Sequence, residues 1–401
     1  MPRARLAPRV EGGPIAGDSR RRIRFSIPTL WLAVLATGML AGDAAFAASP
    51  EPAFVAPGGP LSGSQPQLVP HFPPPPGAGV LAAALPVPLC EDCDQGRNYW
   101  IVSSRCCEQN GRACGCPHCS FDYFRFGDDG CLRGSDEHTF RQWLKPGAPA
   151  CIVVHGSFVD WESVAQDSHQ TYRWLRAAAP HRPLNVVFYT WPSEGFYTMV
   201  PHIDIAILGC RSEFNGHYLA QFACGLPGEH PVSFVGHSHG ARTVGAALHL
   251  LGGGAVEDRR LCGACCPPRR IRAVFAAAAV DHHWLRPGEK YGCALYPVEG
   301  LLNIRNECDL ALGLYRFRKP FGRRAISRSG FTRKDVARMG QLTARVAEMD
   351  VTDIVGTGHM WPNYYTRPEI ACGLVPWVYF EEQPPVPVPS PAFPPPAPAA
   401  R

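Results

Sequence analysis

The sequence PVSFVGHSHG, residues 231–240, joins a short apolar run to a serine that has glycine two positions before and two positions after it. The Val and Phe content predicts a buried strand, and ARTVGAALHLL, residues 241–251, predicts a helix. G-x-S-x-G between a strand and a helix is typical of a sharp turn that raises the serine Oγ above the sheet edge, with glycine relieving the crowding. Ser238 is therefore a candidate nucleophile. The alternative is a serine in an ordinary surface turn.

Strand-like and helix-like segments alternate through the middle of the chain. Strand patterns cover residues 99–103, 121–126, 151–154, 185–190, 231–235, 271–280, 300–305 and 344–349, and helix patterns cover residues 161–179, 204–224, 241–251 and 333–344. This order predicts an α/β fold with a mostly parallel central sheet flanked by helices.

A serine nucleophile needs a base to take its proton and an acid to orient that base. When the serine lies on such a turn, the partners follow it in the order acid, then histidine. Asp309 comes just after the predicted strand 300–305, and His359 lies in a glycine-rich loop after the last predicted strand. The predicted triad is Ser238, Asp309 and His359. Asp281, at the end of the preceding strand, is the alternative acid.

Other histidines compete with His359 for the role of base. His237 and His239 flank the serine, but neighbours on a tight turn point away from its Oγ. His282 and His283 lie close to the end of the strand 271–280 and are expected to line the cleft instead. A surface role is the alternative for His359.

The oxyanion of an acyl-transfer reaction needs backbone N–H donors. The residue after the nucleophile supplies one, here His239, at the start of a helix whose dipole favours negative charge. The second is expected in the loop after the strand 151–154, which reads His155-Gly156-Ser157-Phe158. We predict the Ser157 N–H as this donor, with Phe158 as the next choice.

The ends of the chain have the composition of targeting and linker segments. Residues 1–47 combine an arginine cluster at 20–24, an uncharged run at 25–42 and the small-x-small pattern Ala45-Phe46-Ala47, which predicts a signal peptide cleaved after Ala47. An uncleaved anchor is the alternative, and the arginines also resemble a twin-arginine signal.

Residues 48–89 and 383–401 are rich in proline and predict disordered segments, which leaves residues 90–382 as the folded domain. Without residues 1–47 the chain is almost neutral and gives no argument for nucleic-acid binding.

All 17 cysteines follow the predicted cleavage site, which indicates an oxidising compartment where disulfides persist. Eight of them form a dense group: Cys90, Cys93, Cys106, Cys107, Cys114, Cys116, Cys119 and Cys131. We favour disulfides for this group. The alternative is a zinc site at the two C-x-x-C pairs, Cys90 with Cys93 and Cys116 with Cys119.

Five motifs together resemble a group of uncharacterised bacterial α/β-hydrolases: VSSR (102–105), HGS (155–157), WPSEG (191–195), GHSHG (236–240) and NECD (306–309). The resemblance extends over about residues 99–375.

The resemblance implies an α/β-hydrolase fold with Ser238, Asp309 and His359 as triad, and it implies no particular substrate. The chain departs from the group in a cysteine-rich insertion at residues 106–120, between the first two strands, and in a later cysteine-containing loop at residues 262–266. Cys210 and Cys224 are candidate partners for that loop.

These features predict an exported serine hydrolase that cleaves carboxylic esters, either small molecules or lipids, through an acyl-enzyme. Thioesters and amides use the same machinery. The alternative is a non-catalytic, cysteine-rich envelope or surface protein on a hydrolase scaffold. No motif for an organic cofactor is present, so we expect none. The expected location is secreted, periplasmic or in the cell envelope.

Overall fold

A single sheet organises the residues that the structure describes. The computed structural model describes residues 98–107, 120–127, 129–194, 201–261, 266–318 and 321–381, except for the side chains of residues 201 and 202. The strands in these ranges are β1 (Tyr99–Ser103), β2 (Asp122–Phe126), β3 (Leu132–Ser135), β4 (Ala150–Val154), β5 (Asn185–Thr190), β6 (Val232–His237), β7 (Ile271–Ala276), β8 (Gly300–Arg305) and β9 (Val346–Asp350).

The strands lie in the order β3-β2-β1-β5-β4-β6-β7-β8-β9. Only β2, among the strands described, runs against the others, because it pairs antiparallel with both β1 and β3. The pairs from β1–β5 to β8–β9 are all parallel. The predicted α/β architecture with a mostly parallel sheet is confirmed.

Helices cover both faces of the sheet. The α-helices in the described ranges are α1 (Glu137–Trp143), α2 (Trp161–Ala178), α3 (Pro201–Gly225), α4 (His239–Leu251), α5 (Leu310–Leu314), α6 (Ile326–Ser329), α7 (Arg333–Met339), α8 (Thr352–Val355), α9 (Pro362–Tyr365) and α10 (Pro368–Val378). Buried residues of α3 and α4 share one apolar cluster, and those of α2 and α10 share another. Side chains of β1 alternate between the two clusters, as a period of two requires.

The predicted strands 99–103, 185–190 and 300–305 have the bounds that the structure shows. The predicted strand 271–280 is too long. It ends at Ala276 because Ala277 has a left-handed φ of 46°, and the Ala279 N–H then turns to the Ser238 carbonyl oxygen at 3.2 Å. Strand β3 and the helices α1, α5, α6, α8, α9 and α10 were not predicted.

The predicted helix 333–344 is also too long. It ends at Met339 because Gly340 has a φ of 55°, and a 3₁₀ turn covers Gly340–Arg345.

One disulfide joins Cys224, at the end of α3, to Cys266, which precedes β7. This pair is one of the candidate combinations for the later cysteine loop, whereas Cys210 is a free, exposed thiol. Cys107 is also disulfide-bonded.

Several sequence predictions fall outside the described residues. These are the signal peptide 1–47, the linker 48–89, the tail 383–401, positions 108–119 of the cysteine-rich insertion and the four candidate zinc ligands Cys90, Cys93, Cys116 and Cys119. Within the described ranges, no helix combines the length and the apolar character that a membrane crossing requires.

Candidate active site

Ser238 occupies a strained turn between β6 and α4. Its backbone has φ 54° and ψ −119°, a combination that side-chain-bearing residues rarely adopt. A Cβ on Gly236 would lie 2.6 Å from the Ala241 Cα, and a Cβ on Gly240 would lie 2.2 Å from the Val154 carbonyl oxygen. Both contacts are with backbone atoms, so no side-chain adjustment would relieve them. The two glycines of the motif are therefore required for close packing.

A continuous hydrogen-bonded chain links Ser238, His359 and Asp309. The Ser238 Oγ lies 3.0 Å from His359 Nε2, and His359 Nδ1 lies 2.8 Å from Asp309 Oδ2. Asp309 is fully buried, and its other oxygen accepts the Leu312 N–H of α5 at 2.9 Å. A carboxylate can only accept, so the His359 proton lies on Nδ1 and Nε2 is free to accept from the serine hydroxyl.

The loop that carries His359 is held by two side chains. The Asn306 amide donates to the Gly356 carbonyl oxygen at 2.8 Å, and His237 Nε2–H donates to the His359 carbonyl oxygen at 2.7 Å. Burial lowers the pKa of His237 to about 3, so its ring is neutral and keeps a defined tautomer. The Nε2–H of His237 is thus used by the loop that carries His359, and His237 positions the base.

The loop of residues 155–159 lies against the serine turn. A Cβ added to Gly156 would be 3.0 Å from the Ser238 Cβ, which measures how closely this loop approaches the serine. The Ser157 Oγ lies 2.5 Å from His239 Nδ1, which ties the loop to the start of α4. The Phe158 N–H is already used, since it donates to the Ser193 carbonyl oxygen at 2.6 Å. Ser157 and His239 remain the candidate oxyanion donors, because no acceptor among the described residues takes their N–H groups.

Arg105 fixes the same loop from the side of β1. Its Nη2 donates to the Val159 carbonyl oxygen at 3.0 Å, its Nε donates to the Thr190 Oγ1 at 2.9 Å, and it forms an ion pair with Glu194. The Ser193 Oγ donates to the same Val159 oxygen at 3.2 Å. Three of the five sequence motifs therefore meet around residues 155–159.

His155 completes this support through its ring and its backbone. Its ring is stacked on Trp191 with a centroid distance of 5.8 Å, and the Trp191 indole N–H donates to the His155 carbonyl oxygen at 3.0 Å. Burial and the nearby Arg105 cation lower the pKa of His155 to about 3. The neutral ring donates Nδ1–H to the Gly156 carbonyl oxygen at 2.8 Å.

The competing acids and bases have other partners. Asp281 is buried and accepts from the Tyr315 hydroxyl at 2.8 Å and from Arg318. His282 Nδ1 lies 2.7 Å from an oxygen of Asp335. Among the described residues, the histidine that forms a hydrogen bond with the Ser238 Oγ is His359. Neither Asp281 nor His282 forms a hydrogen bond with Ser238.

Arg242 is a buried supporting residue that sequence reasoning did not identify. Its guanidinium donates twice to the Ala279 carbonyl oxygen, at 3.0 and 2.8 Å, and once to the Tyr315 hydroxyl at 3.1 Å. The Ala279 N–H in turn donates to the Ser238 carbonyl oxygen. The available signal was a charge inside the apolar helix 241–251, because an arginine at such a position needs buried acceptors.

Comparison with known proteins gives little further information. No protein-family description matches the chain, and no curated protein sequence matches it. A solved structure that matches is a Trichoderma reesei cutinase in complex with a C11Y4 phosphonate inhibitor, with 11% sequence identity and a TM-score of 0.24. The match covers 58% of this chain and 77% of the cutinase chain.

Proposed function

We propose that this protein is a serine hydrolase of the α/β-hydrolase fold that cleaves carboxylic esters through an acyl-enzyme. The observation that carries the proposal is the chain of hydrogen bonds from the Ser238 Oγ through His359 to the buried Asp309. A second observation supports it: the strained turn holds this hydroxyl beside two backbone N–H groups that have no acceptor among the described residues.

In the first half-reaction, the Ser238 Oγ attacks the ester carbonyl carbon while His359 Nε2 takes the hydroxyl proton. Asp309 accepts from Nδ1–H and stabilises the imidazolium that forms. The carbonyl oxygen becomes negative and receives hydrogen bonds from the His239 and Ser157 N–H groups. The tetrahedral intermediate then expels the alcohol, which takes the proton from Nε2 and leaves the acyl group on Ser238.

In the second half-reaction, water replaces the alcohol. His359 Nε2 removes a proton from the water as its oxygen attacks the acyl carbon, and the same two N–H groups stabilise the second oxyanion. Collapse of this intermediate returns the proton to the Ser238 Oγ and releases the carboxylic acid. One ester and one water give one acid and one alcohol, and the enzyme is restored.

We further propose that the protein acts after export, on a small-molecule or lipid ester. Export is inferred from the arginine cluster, the uncharged run and the small-x-small site within residues 1–47. The high cysteine content supports an oxidising compartment.

A fluorophosphonate probe tests the nucleophile directly. We expect the probe to label the folded chain at Ser238, and the Ser238→Ala variant to lose both labelling and hydrolysis of short p-nitrophenyl esters. Ser163→Ala is the matched control, because this serine lies in α2 and its backbone N–H, which donates to the N-cap residue Asp160 at 2.8 Å, is kept in the variant. The control should keep wild-type labelling and activity.

The same experiment separates the enzyme from a non-catalytic scaffold. A correctly folded wild-type chain that neither reacts with the probe nor hydrolyses any ester or thioester in a panel would contradict the proposed function. Stable association of that inactive chain with isolated cell envelopes would then favour the scaffold. Labelling that persists in Ser238→Ala would assign the nucleophile to another residue.

A further inference from the structure

An exposed loop near the candidate active site combines aromatic and basic side chains. We call it the basic–aromatic loop and define it by five described residues: Arg316, Phe317, Phe321, Arg323 and Arg324. All five are exposed, Phe317 by 49% and Phe321 by 100% of its surface. The Arg316 guanidinium lies 4.5 Å from the centre of the Phe317 ring. Large apolar side chains and cations thus share one surface.

Phe321 is the most informative residue of this loop. Its backbone has a left-handed φ of 54°, which is unfavourable for a residue with a Cβ, and its side chain makes no use of the protein core. Asparagine or glycine would fit this backbone more easily. The folded chain makes no packing use of this ring, so its whole apolar surface is available to an external partner.

The chain segment that contains the loop has only basic charged residues, and the acidic group that pairs with its Arg318 is the buried Asp281. From Leu310 to Lys334 the sequence contains eight basic residues and no acidic residue. Arg318 holds the loop in shape, because its Nη1 donates to the carbonyl oxygens of Tyr315 at 3.1 Å and Arg323 at 3.3 Å. The basic side chains of Arg323 and Arg324 stay exposed. A preformed cationic surface of this kind attracts an anionic partner.

The basic–aromatic loop is connected directly to the candidate active site. Asp309 is the N-cap of α5, and the 3₁₀ turn Tyr315–Arg318 follows α5 immediately. Exposed apolar side chains also adjoin the triad, since Leu310 is 57% exposed beside Asp309 and Met360 is 59% exposed beside His359. Exposed apolar side chains are therefore present both in the loop and at positions that adjoin triad residues in the sequence.

We propose that the basic–aromatic loop binds the surface of anionic lipid assemblies, with Phe321 inserted among the acyl chains and the arginines against the headgroup phosphates. Aromatic and basic residues on one face are typical of interfacial membrane binding. A nucleic acid would also bind the arginines. It has no hydrocarbon layer, however, into which the fully exposed Phe321 and the exposed Leu310 and Met360 could insert. Docking requires no hydrolysis; the further point that it brings lipid esters to Ser238 rests on the proposed function.

Vesicle co-sedimentation tests the docking step. The full chain with Ser238→Ala is mixed with phosphatidylcholine vesicles with and without phosphatidylglycerol, so that no lipid is consumed. Each basic residue near an anionic surface strengthens binding about fivefold, so R323Q/R324Q should weaken binding to phosphatidylglycerol vesicles by about 25-fold. F321N should weaken it roughly tenfold through the loss of buried apolar surface.

The matched control removes two cations elsewhere. Arg133 and Lys145 are exposed, and Arg133 lies on β3, at the opposite edge of the sheet from β9. R133Q/K145Q changes the net charge by the same amount and should bind like the parent chain. Equal weakening by this control would overturn the proposal, because the effect would then be one of net charge alone. The proposal also fails if duplex DNA binds as tightly as the vesicles with the same dependence on Phe321 and the arginines.

A second measurement links docking to activity and keeps the two proposals separate. With Ser238 present, R323Q/R324Q should hydrolyse soluble p-nitrophenyl acetate at the wild-type rate and lose activity only on esters held in phosphatidylglycerol vesicles. Absence of all hydrolysis would contradict the proposed function and leave the vesicle-binding result intact. If neither loop variant loses vesicle binding, the docking proposal is contradicted and the proposed hydrolase function is unaffected.

Discussion

Acid should destabilise this protein through His237, and a single substitution should remove that effect. His237 is only 6% exposed, and burial lowers the pKa of its ring to about 3. In the unfolded chain the ring takes a proton below about 6.5. Between these values the unfolded state binds more protons than the folded state, so the free energy of unfolding falls as the pH falls.

The size of the effect follows from the two pKa values. With a pKa of about 3 in the folded chain and about 6.5 in the unfolded chain, His237 should lower the free energy of unfolding by about 2 kcal/mol between pH 7 and pH 5. In His237→Gln, the amide keeps a donor for the His359 carbonyl oxygen and does not titrate. This variant should therefore lose about 2 kcal/mol less than the wild type over the same pH range.

Urea unfolding followed by tryptophan fluorescence at pH 7, 6 and 5 measures this difference. Other groups titrate over the same range, and the comparison of the two proteins cancels their contribution. His181→Gln is the control, because it also replaces an imidazole with an amide, at a position that is exposed and outside the core. The control should show the wild-type dependence on pH. An equal loss of stability in His237→Gln and the wild type would refute the reasoning.

Three further outcomes follow from the packing. Gly240→Ala should lower the free energy of unfolding by about 1–3 kcal/mol in a urea titration, because the new Cβ would overlap backbone atoms. Gly134→Ala is the control, since nothing lies within 4 Å of its Cβ, and it should change the free energy of unfolding by less than about 1 kcal/mol. Arg105→Lys keeps the charge but loses the guanidinium that contacts Val159, Thr190 and Glu194 at the same time, so kcat should fall about tenfold with KM almost unchanged. An unchanged kcat would show that the loop 155–159 does not depend on this residue. Replacing both Cys224 and Cys266 with serine removes a disulfide between positions 42 residues apart and should lower the free energy of unfolding by about 2–4 kcal/mol. A smaller loss would mean that the unfolded chain without the disulfide still has restricted conformational freedom.

The sequence was sufficient to predict the strand–turn–helix around Ser238, because that information is local. Glycine spacing, an apolar strand and a helix pattern lie within about twenty residues. The order of the partners along the chain then pointed to Asp309 and His359. In the structure His359 forms hydrogen bonds with both Asp309 and Ser238. Parallel strands make this possible, since their carboxyl ends meet at one edge of the sheet.

Interactions between distant segments were harder to predict. The end of β7 at Ala276 depends on the left-handed turn at Ala277, which an alanine-rich sequence does not announce. The ion pair of Arg105 with Glu194 and the hydrogen bonds of Arg242 join segments that are far apart in the chain. The edge strand β3 pairs with one neighbour, and its sequence LRGS has almost no strand pattern.

Total charge also concealed a local feature. The chain is almost neutral beyond residue 47, and a whole-chain count gives no reason to look for an anionic partner. The eight basic residues between Leu310 and Lys334 become visible only in a short window. The proposal of a binding surface required the structure, because the sequence does not show that Phe317 and Phe321 are exposed.

Backbone strain connects the candidate active site with the basic–aromatic loop. Seven non-glycine residues in the described ranges have a positive φ. One is Ser238 itself, two are Phe158 and Ala277 in the segments that contact the serine turn, and a fourth is Phe321. Each such conformation costs on the order of 1 kcal/mol and persists only where neighbours hold it. Hydrogen bonds to Ser193, Ala276 and Ala279 supply that restraint at the serine. Phe321 lies in a loop that Arg318 holds through the Tyr315 and Arg323 carbonyl oxygens. Its ring is fully exposed, so the proposed contact with an apolar partner would bury surface that the fold itself leaves in water.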